Sequence, residues 1–178
     1  MNQDIERIYY SAGQIGETVQ ALGKRISADY AGRNLLLVSI LKGAVMFMTD
    51  LMRAIDIPCE IDFMAVSSYN GTRSTGEVRI VKDLERSLDG YDVLIVEDIL
   101  DSGRTLNYII NILRSRNPAS IRICTLFDKP EGRVAPIDAD YIGMRVPNEF
   151  IVGYGLDYNE KYRNLPYIGV LKPEIYGG

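Results

Sequence analysis

The sequence predicts an α/β fold, a twisted and mostly parallel sheet with helices on both faces. Two observations carry this. LLLVSIL (Leu35–Leu41) and VLIV (Val93–Val96) are continuous apolar runs of strand length, the pattern of strands buried on both faces. Helical spacing of apolar residues lies between such runs, and parallel strands need crossovers of this kind.

The elements follow in order. Ser11 caps a helix from about Ala12 to Tyr30, with Ile15, Val19, Leu22 and Ile26 on one stripe. Leu35–Leu41 is a buried strand ended by Lys42-Gly43, and VMFMTDLMRAI (Val45–Ile55) is the next helix. Strands are expected at about Glu60–Val66, Val78–Val81, Val93–Val96 and Ile121–Phe127, with a helix at about Thr105–Arg116 between the last two. Later apolar stretches lie near Tyr141–Val146, Phe150–Tyr154 and Tyr167–Leu171. Ser67–Lys82 is polar and Gly-containing at its start, which fits either a mobile loop or a solvent-facing hairpin.

The chain has 178 residues, of which 47% are hydrophobic, enough for one well-buried core and short for two. A single domain over residues 1–178 is expected. No apolar run reaches membrane-spanning length, and MNQDIERIYY lacks the basic and then apolar regions of a secretory signal. Cys59 and Cys124 sit singly in apolar stretches, as reduced core cysteines do, so the cytoplasm is the expected compartment. A net charge of −4 and a pI near 4.9 disfavour a dedicated nucleic-acid binder. There is no histidine. That excludes Ser-His triads and imidazole bases, and leaves acid–base chemistry to carboxylate, lysine, tyrosine, thiol or water.

The informative stretch is VLIVEDILDSGRTL (Val93–Leu106). Glu97 and Asp98 close a buried strand, while Ser102-Gly103-Arg104-Thr105 open a helix. The first turn of a helix presents unpaired N–H groups and the positive end of its dipole, which suits a phosphate. Gly103 lets backbone approach the anion, and Ser102 and Thr105 add hydroxyl donors. Arg104 adds charge or lies in solvent. The acid pair can accept bonds from vicinal hydroxyls or hold a hard cation such as Mg²⁺. A ligand with phosphate at one end and a diol nearby is a ribose 5-phosphate.

Two acids, two apolar residues and then Asp-Ser-Gly-x-Thr resemble the phosphoribosyl-diphosphate motif of type I phosphoribosyltransferases. DKP (Asp128–Pro130) and FIVGYGLDYNEKYRNLP (Phe150–Pro166) are similar to the purine-binding half of the hypoxanthine-guanine members. LKG (Leu41–Gly43) and SSY (Ser67–Tyr69) match that family's diphosphate loop and mobile loop. Asn148-Glu149 departs from the Asp and basic residue common before the Phe, and Arg104 stands where lysine is also found. The resemblance implies the type I fold, with a small hood from the N-terminal residues and about 145–178. It implies a purine-salvage reaction that joins hypoxanthine or guanine to phosphoribosyl diphosphate, giving IMP or GMP and diphosphate.

By the same resemblance, Glu97 and Asp98 hold the ribose hydroxyls and Mg²⁺, and Asp157 serves a second Mg²⁺. Asp101 lies near N7 of the purine as general base or electrostatic stabiliser. Lys129 donates to the 6-oxygen, Phe150 stacks on the base, and backbone oxygens near Ile151 and Asp157 read its 2-position edge. Lys42, Gly43 and Arg163 contact the diphosphate. Ser68 and Tyr69 are the tip of a closing loop, and the Leu41–Lys42 peptide is expected to be cis. A homodimer or homotetramer is implied, with neither nucleic acid nor membrane as partner. Two rivals account for less. A receiver-type phosphoacceptor explains Glu97 and Asp98 without Ser102–Thr105, and a nucleotide-binding transcription regulator would need a basic surface.

Overall fold

The computed structural model describes residues 1–68 and 78–177, with backbone alone at residue 68. The chain runs β1 (Ile5–Tyr10), α1 (Ala12–Asp29), β2 (Leu35–Leu41), α2 (Val45–Ala54), β3 (Cys59–Ser68) and β4 (Val78–Lys82). It continues β5 (Asp92–Leu100), α3 (Arg104–Arg114), β6 (Ser120–Asp128), β7 (Tyr141–Arg145), β8 (Ile151–Val152), β9 (Ile168–Leu171) and α4 (Pro173–Tyr176).

Ser11 starts α1 with a capping box. The Gln14 N–H donates to Ser11 Oγ at 3.3 Å, and the Ser11 N–H donates to Gln14 Oε1 at 2.9 Å. Ile15, Val19, Leu22 and Ile26 form the expected buried stripe, and Tyr30 is the C-cap just after the helix.

Six strands form the larger sheet in the order β4-β3-β2-β5-β6-β7, all parallel to their neighbours except β4. Successive side chains of a strand point to opposite faces, and the central strands show what this requires. Leu35 and Leu37 of β2 pack with α1 and α2, whereas Leu36, Val38 and Ile40 pack with the α3 side chains Leu106, Ile109, Ile110 and Leu113. A strand buried on both sides has little room for polar positions, which is why LLLVSIL is apolar throughout except for the fully buried Ser39. Cys124 is buried and Cys59 partly so, both as free thiols.

The strand order fixes the place of the site. From β2 the chain crosses through α2 to β3 on one side, and from β5 through α3 to β6 on the other. Their strand ends therefore diverge between β2 and β5, the switch point at which open α/β sheets bind ligands. Pairing of β2 with β5 stops at Ser39↔Val96, while β6 follows β5 to Leu100↔Asp128. This corrects the expected strand end at Val96. Glu97 and Asp98 lie inside β5, held on the β6 side and open on the β2 side.

A second sheet has the order β1-β9-β8 and supplies the hood. Strand β1 was not expected, because IERIYY has no clear two-residue alternation and is paired into a strand by β9 from Ile5↔Leu171 to Tyr10↔Ile168. Strand β8 is short because Gly153, Tyr154 and Gly155 take φ of 106°, 46° and 99°. Strands β3 and β4 are hairpin arms, paired antiparallel from Ala65↔Lys82 to Ser68↔Val78. The expected loop residue Tyr69 lies outside the described residues. Among the described residues, no helix is long and apolar enough to cross a membrane.

Candidate active site at the sheet switch point

Where β2 and β5 part, a cleft of about 260 Å³ is lined by Leu41, Gly43, Glu97, Asp98, Asp101, Ser102, Gly103 and Thr105, among others. The sequence motif is thus assembled with the end of β2. The Leu41–Lys42 peptide is cis. A Cβ on Gly43 would lie 2.0 Å from Asp98 Oδ2, and one on Gly155 2.0 Å from the Gly43 carbonyl oxygen. The acid, the turn after β2 and the hood therefore pack in layers that admit no side chain at either glycine.

Both acids of the pair are driven toward the protonated form. Burial and the neighbouring Asp98 charge push Glu97 well above the usual carboxylate range. Burial likewise pushes Asp98 up to about 6, although the Ile99 N–H donates to its Oδ1 at 2.8 Å and Arg163 works in the opposite direction. Asp157 adds to the upward push, so the three acids assigned to metal share one electrostatic neighbourhood. Among the described residues, no three His, Cys, Asp or Glu side chains are grouped closely enough to hold a metal by themselves. That donor set suits Mg²⁺, which keeps waters and binds through one or two carboxylates plus ligand phosphates.

The turn after β5 is built as an anion seat. Gly103, at φ 72°, is the N-cap of α3 and no side chain caps the helix, which leaves first-turn N–H groups free for a ligand. Arg104 and Thr105 are exposed and Ser102 is half-buried. The turn is held from behind by residues 133–137. The N–H groups of Val134 and Ala135 donate to the Ser102 carbonyl at 3.0 and 2.9 Å. Arg133 donates through Nε to the Asp101 carbonyl at 2.9 Å, and through Nη1 to that of Ile137 at 2.8 Å. Its Nη2 reaches the Leu100 carbonyl at 3.2 Å and pairs with the buried Asp128. One guanidinium thus ties the phosphate turn to the end of β6. The sequence offered no signal for Arg133, because a single arginine in EGRVAP reads as a solvated charge.

Lys129 follows β6, and its Nζ lies 3.5 Å from Asp101 Oδ2. The lysine is only 15% exposed and the aspartate 48%, so the pair presents a donor and an acceptor side by side at the cleft rim.

The hood meets the cleft at Gly155, which lies against the Gly43 carbonyl. Arg163 donates through Nη1 to the Gly155 carbonyl at 2.7 Å and pairs through Nη2 with Asp157 at 2.8 Å. Its Nε, among the described residues, is buried without a hydrogen-bond partner. Lys42 is exposed and pairs with Glu160 at 2.9 Å. Tyr154, also missed from sequence, donates its hydroxyl to Asp50 Oδ2 on α2 at 2.6 Å and so joins hood to helix. Ile151 turns its side chain into the main core and offers only backbone to a ligand. Phe150 is 38% exposed.

The cleft brings together a helix N-terminal turn, an acid pair and a Lys–Asp pair, a set whose chemistry suits a phosphorylated, hydroxyl-bearing ligand. The chain belongs to the phosphoribosyl transferase domain family, which it matches over residues 8–159. It is 55% identical over 177 residues to the hypoxanthine-guanine phosphoribosyltransferase of Streptococcus mutans, covering 99% of this chain and 98% of that one. The bifunctional protein TilS/HprT of Listeria innocua is 57% identical over 177 residues, and this chain spans 27% of its length. A crystal structure of a hypoxanthine phosphoribosyltransferase from Staphylococcus aureus superposes with a TM-score of 0.96 at 52% identity, covering 100% and 97% of the two chains.

Two outcomes test this geometry. The raised Asp98 pKa means that the folded chain holds that proton more tightly than the unfolded chain does. Its stability contribution is therefore complete below the ordinary carboxylate pKa and is lost as pH rises through about 6. Asp98→Asn should raise the urea-unfolding free energy of the ligand-free chain at about pH 8, by up to about 3 kcal/mol, with no gain at about pH 4. A destabilised variant at the higher pH would contradict the burial argument.

Arg133→Met should destabilise the fold by roughly 3 kcal/mol, since Asp128 is left buried without its partner. Arg133→Lys should recover much of that stability. It should still lose about 10²-fold in kcat/KM, because an ammonium lacks the guanidinium fork that fixes the turn. Full activity in Arg133→Lys would show that the turn needs no such clamp.

Proposed function

We propose that the chain transfers the 5-phosphoribosyl group of phosphoribosyl diphosphate to hypoxanthine or guanine, giving IMP or GMP and diphosphate. The observation that carries this reading is the Lys129–Asp101 pair at 3.5 Å beside the anion-binding turn. A 6-oxopurine presents an acceptor, O6, and next to it a donor, the N7 proton. The lysine has only donors, the carboxylate only acceptors, and their spacing fits that edge.

The reaction breaks the bond from C1′ to diphosphate oxygen and forms one from C1′ to N9. The sugar carbon becomes cationic as the leaving group gathers negative charge. N9 attack places positive charge on the purine, which ends as a proton released from N7. Asp101 holds or accepts that proton. Ser102, Gly103, Arg104 and Thr105 seat the 5′-phosphate, while Glu97 and Asp98 take the ribose hydroxyls. Lys42, Gly43 and Arg163 hold the diphosphate. Phe150 stacks on the base, and the backbone at Ile151 and Asp157 reads its 2-position edge. Glu97, Asp98 and Asp157 are the residues that would hold Mg²⁺, which when bound neutralises diphosphate charge. Loop residues Ser68 and Tyr69 stay in this assignment on the sequence resemblance alone. The reading takes the chain as a single domain with a hood, acting as a homodimer or homotetramer.

Incubation with hypoxanthine, phosphoribosyl diphosphate and Mg²⁺ should yield IMP, and no product would overturn the assignment. Adenine should be close to inactive, since its 6-amino group sets donor against the Lys129 donor. A site built to bond one polar group rejects an analogue lacking it by about 10⁴-fold. Lys129→Gln should weaken hypoxanthine use and narrow that gap in kcat/KM. Equal use of both bases by the wild type would remove the base-side assignment.

Asp101→Asn keeps shape and reach while removing charge. Its kcat should fall by roughly 10²-fold or more with a smaller change in KM for phosphoribosyl diphosphate, and near-normal turnover would free Asp101 from its role.

A further inference from the structure

Phe150 is not a lone ring. Tyr176 of α4 stacks on it, with centroids 4.8 Å apart and planes inclined by 21°. Tyr158 meets it edge-on at 5.6 Å and 90°. Offset stacks and perpendicular contacts are the two favourable aromatic geometries, so both neighbours restrict the Phe150 plane. Each comes from the hood. The Leu171 N–H donates to the Phe150 carbonyl at 2.9 Å, which places Phe150 beside β9, and α4 begins two residues beyond that strand. Ile175 and Tyr158 pack on the hood cluster of Val152, Tyr162, Leu165 and Leu171. With both contacts made, Phe150 still keeps 38% of its surface exposed.

We propose that Tyr176 is a positioning residue for the base, covering the hood-side face of Phe150 and setting its plane so that the opposite face receives the purine. The inference rests on the stacking role assigned to Phe150. A phenylalanine side chain turns about two bonds, and a single exposed ring at a strand end has no cause to hold one orientation. The stacked tyrosine supplies that cause, and the Tyr158 edge fixes the remaining tilt. Because Tyr158 follows Asp157 directly, the ring wall is continuous with the Asp157–Arg163 pair. The energetic effect belongs to the base alone, because Tyr176 touches the site through Phe150 and not through the phosphate turn.

The test measures KM for hypoxanthine, KM for phosphoribosyl diphosphate, and kcat in Tyr176→Ala, Tyr176→Phe and Phe150→Leu, each in the full chain. Tyr176→Ala should raise the hypoxanthine KM by about 3- to 10-fold, the range one aromatic pair supplies. Its KM for phosphoribosyl diphosphate and its kcat should stay within about twofold of wild type, by the same argument. Tyr176→Phe keeps the ring and should restore the wild-type value, which a hydroxyl-dependent role would not allow. Phe150→Leu should raise the hypoxanthine KM at least as much. If it does while Tyr176→Ala is unchanged, the positioning role fails and base stacking stands. If Tyr176→Ala lowers the hypoxanthine KM, the tyrosine competes for the base's own face and the inference is overturned. If Phe150→Leu has no effect on that KM, the stacking role itself fails, and the inference with it.

Discussion

Strand β5 outruns its neighbour β2, and the chemistry of the cleft depends on that mismatch. A central strand of a doubly covered sheet is normally sealed on both edges, and a carboxylate within it would have neither water nor a partner. Here β2 stops pairing at Ser39↔Val96 while β6 continues to Leu100↔Asp128. The backbone around Glu97 and Asp98 is therefore held on one side, by Glu97↔Thr125 before and Ile99↔Phe127 after Asp98, while the other side opens into the cleft. The acids are rigid because they lie in a strand, and accessible because half of its pairing is missing. Gly43 makes the arrangement compact, since only a residue without a side chain lets the end of β2 lie against the Asp98 carboxylate. Burial raises the pKa of both acids, so each holds its proton to a higher pH than an exposed carboxylate would.

On the proposed reading, the phosphate seat and the base edge must hold a fixed spacing, since the phosphoribosyl group would sit at one and the purine that attacks it at the other. They stand on different strands, β5 with its turn and β6 with Lys129. The ladder between them ends at Leu100↔Asp128, so the turn and the Lys129 side chain beyond it need fixing by other groups. Arg133 does this locally. Its donors reach the carbonyls of Leu100 and Asp101 on one side and the Asp128 carboxylate on the other. The Lys129 N–H adds a 3.0 Å bond to the Leu100 carbonyl. The two strand ends are thus tied to each other, the fixed spacing a near-attack geometry demands.

Much of this was legible from residues alone. The uniform apolar strands gave the layered sheet, because burial on both faces leaves no other pattern. Ser11 as a cap and the 3.6-residue stripe after it gave α1 almost to the residue. The acid pair and the Ser-Gly-Arg-Thr turn stood out together because they are contiguous, and all of them but Arg104 line one cleft. What could not be read is what depends on partners distant in sequence. Strand β1 exists because β9 pairs with it, and the true end of β5 is set by β6. Arg133 and Tyr154 look like ordinary loop residues until Asp128 and Asp50 are placed beside them. A glycine such as Gly155 shows its purpose only when the Gly43 carbonyl is seen against it.

The same distinction explains why the hood could be placed from sequence only through resemblance. Its sheet is built from two ends of the chain, and β8 contributes two residues before three consecutive positive φ angles turn it away. No periodicity survives over so short a stretch. Stability there comes from cross-links instead. Tyr162 donates its hydroxyl to Asp4 at 3.0 Å, Tyr167 donates to Asn2 at 2.9 Å, and Tyr154 reaches Asp50 on α2. Each tyrosine buries an apolar ring and ends in a hydrogen bond, so it both packs and orients. Tyrosine is therefore the natural residue for a small layer that must hold Arg163 and Phe150 in place over a cleft it did not itself fold around.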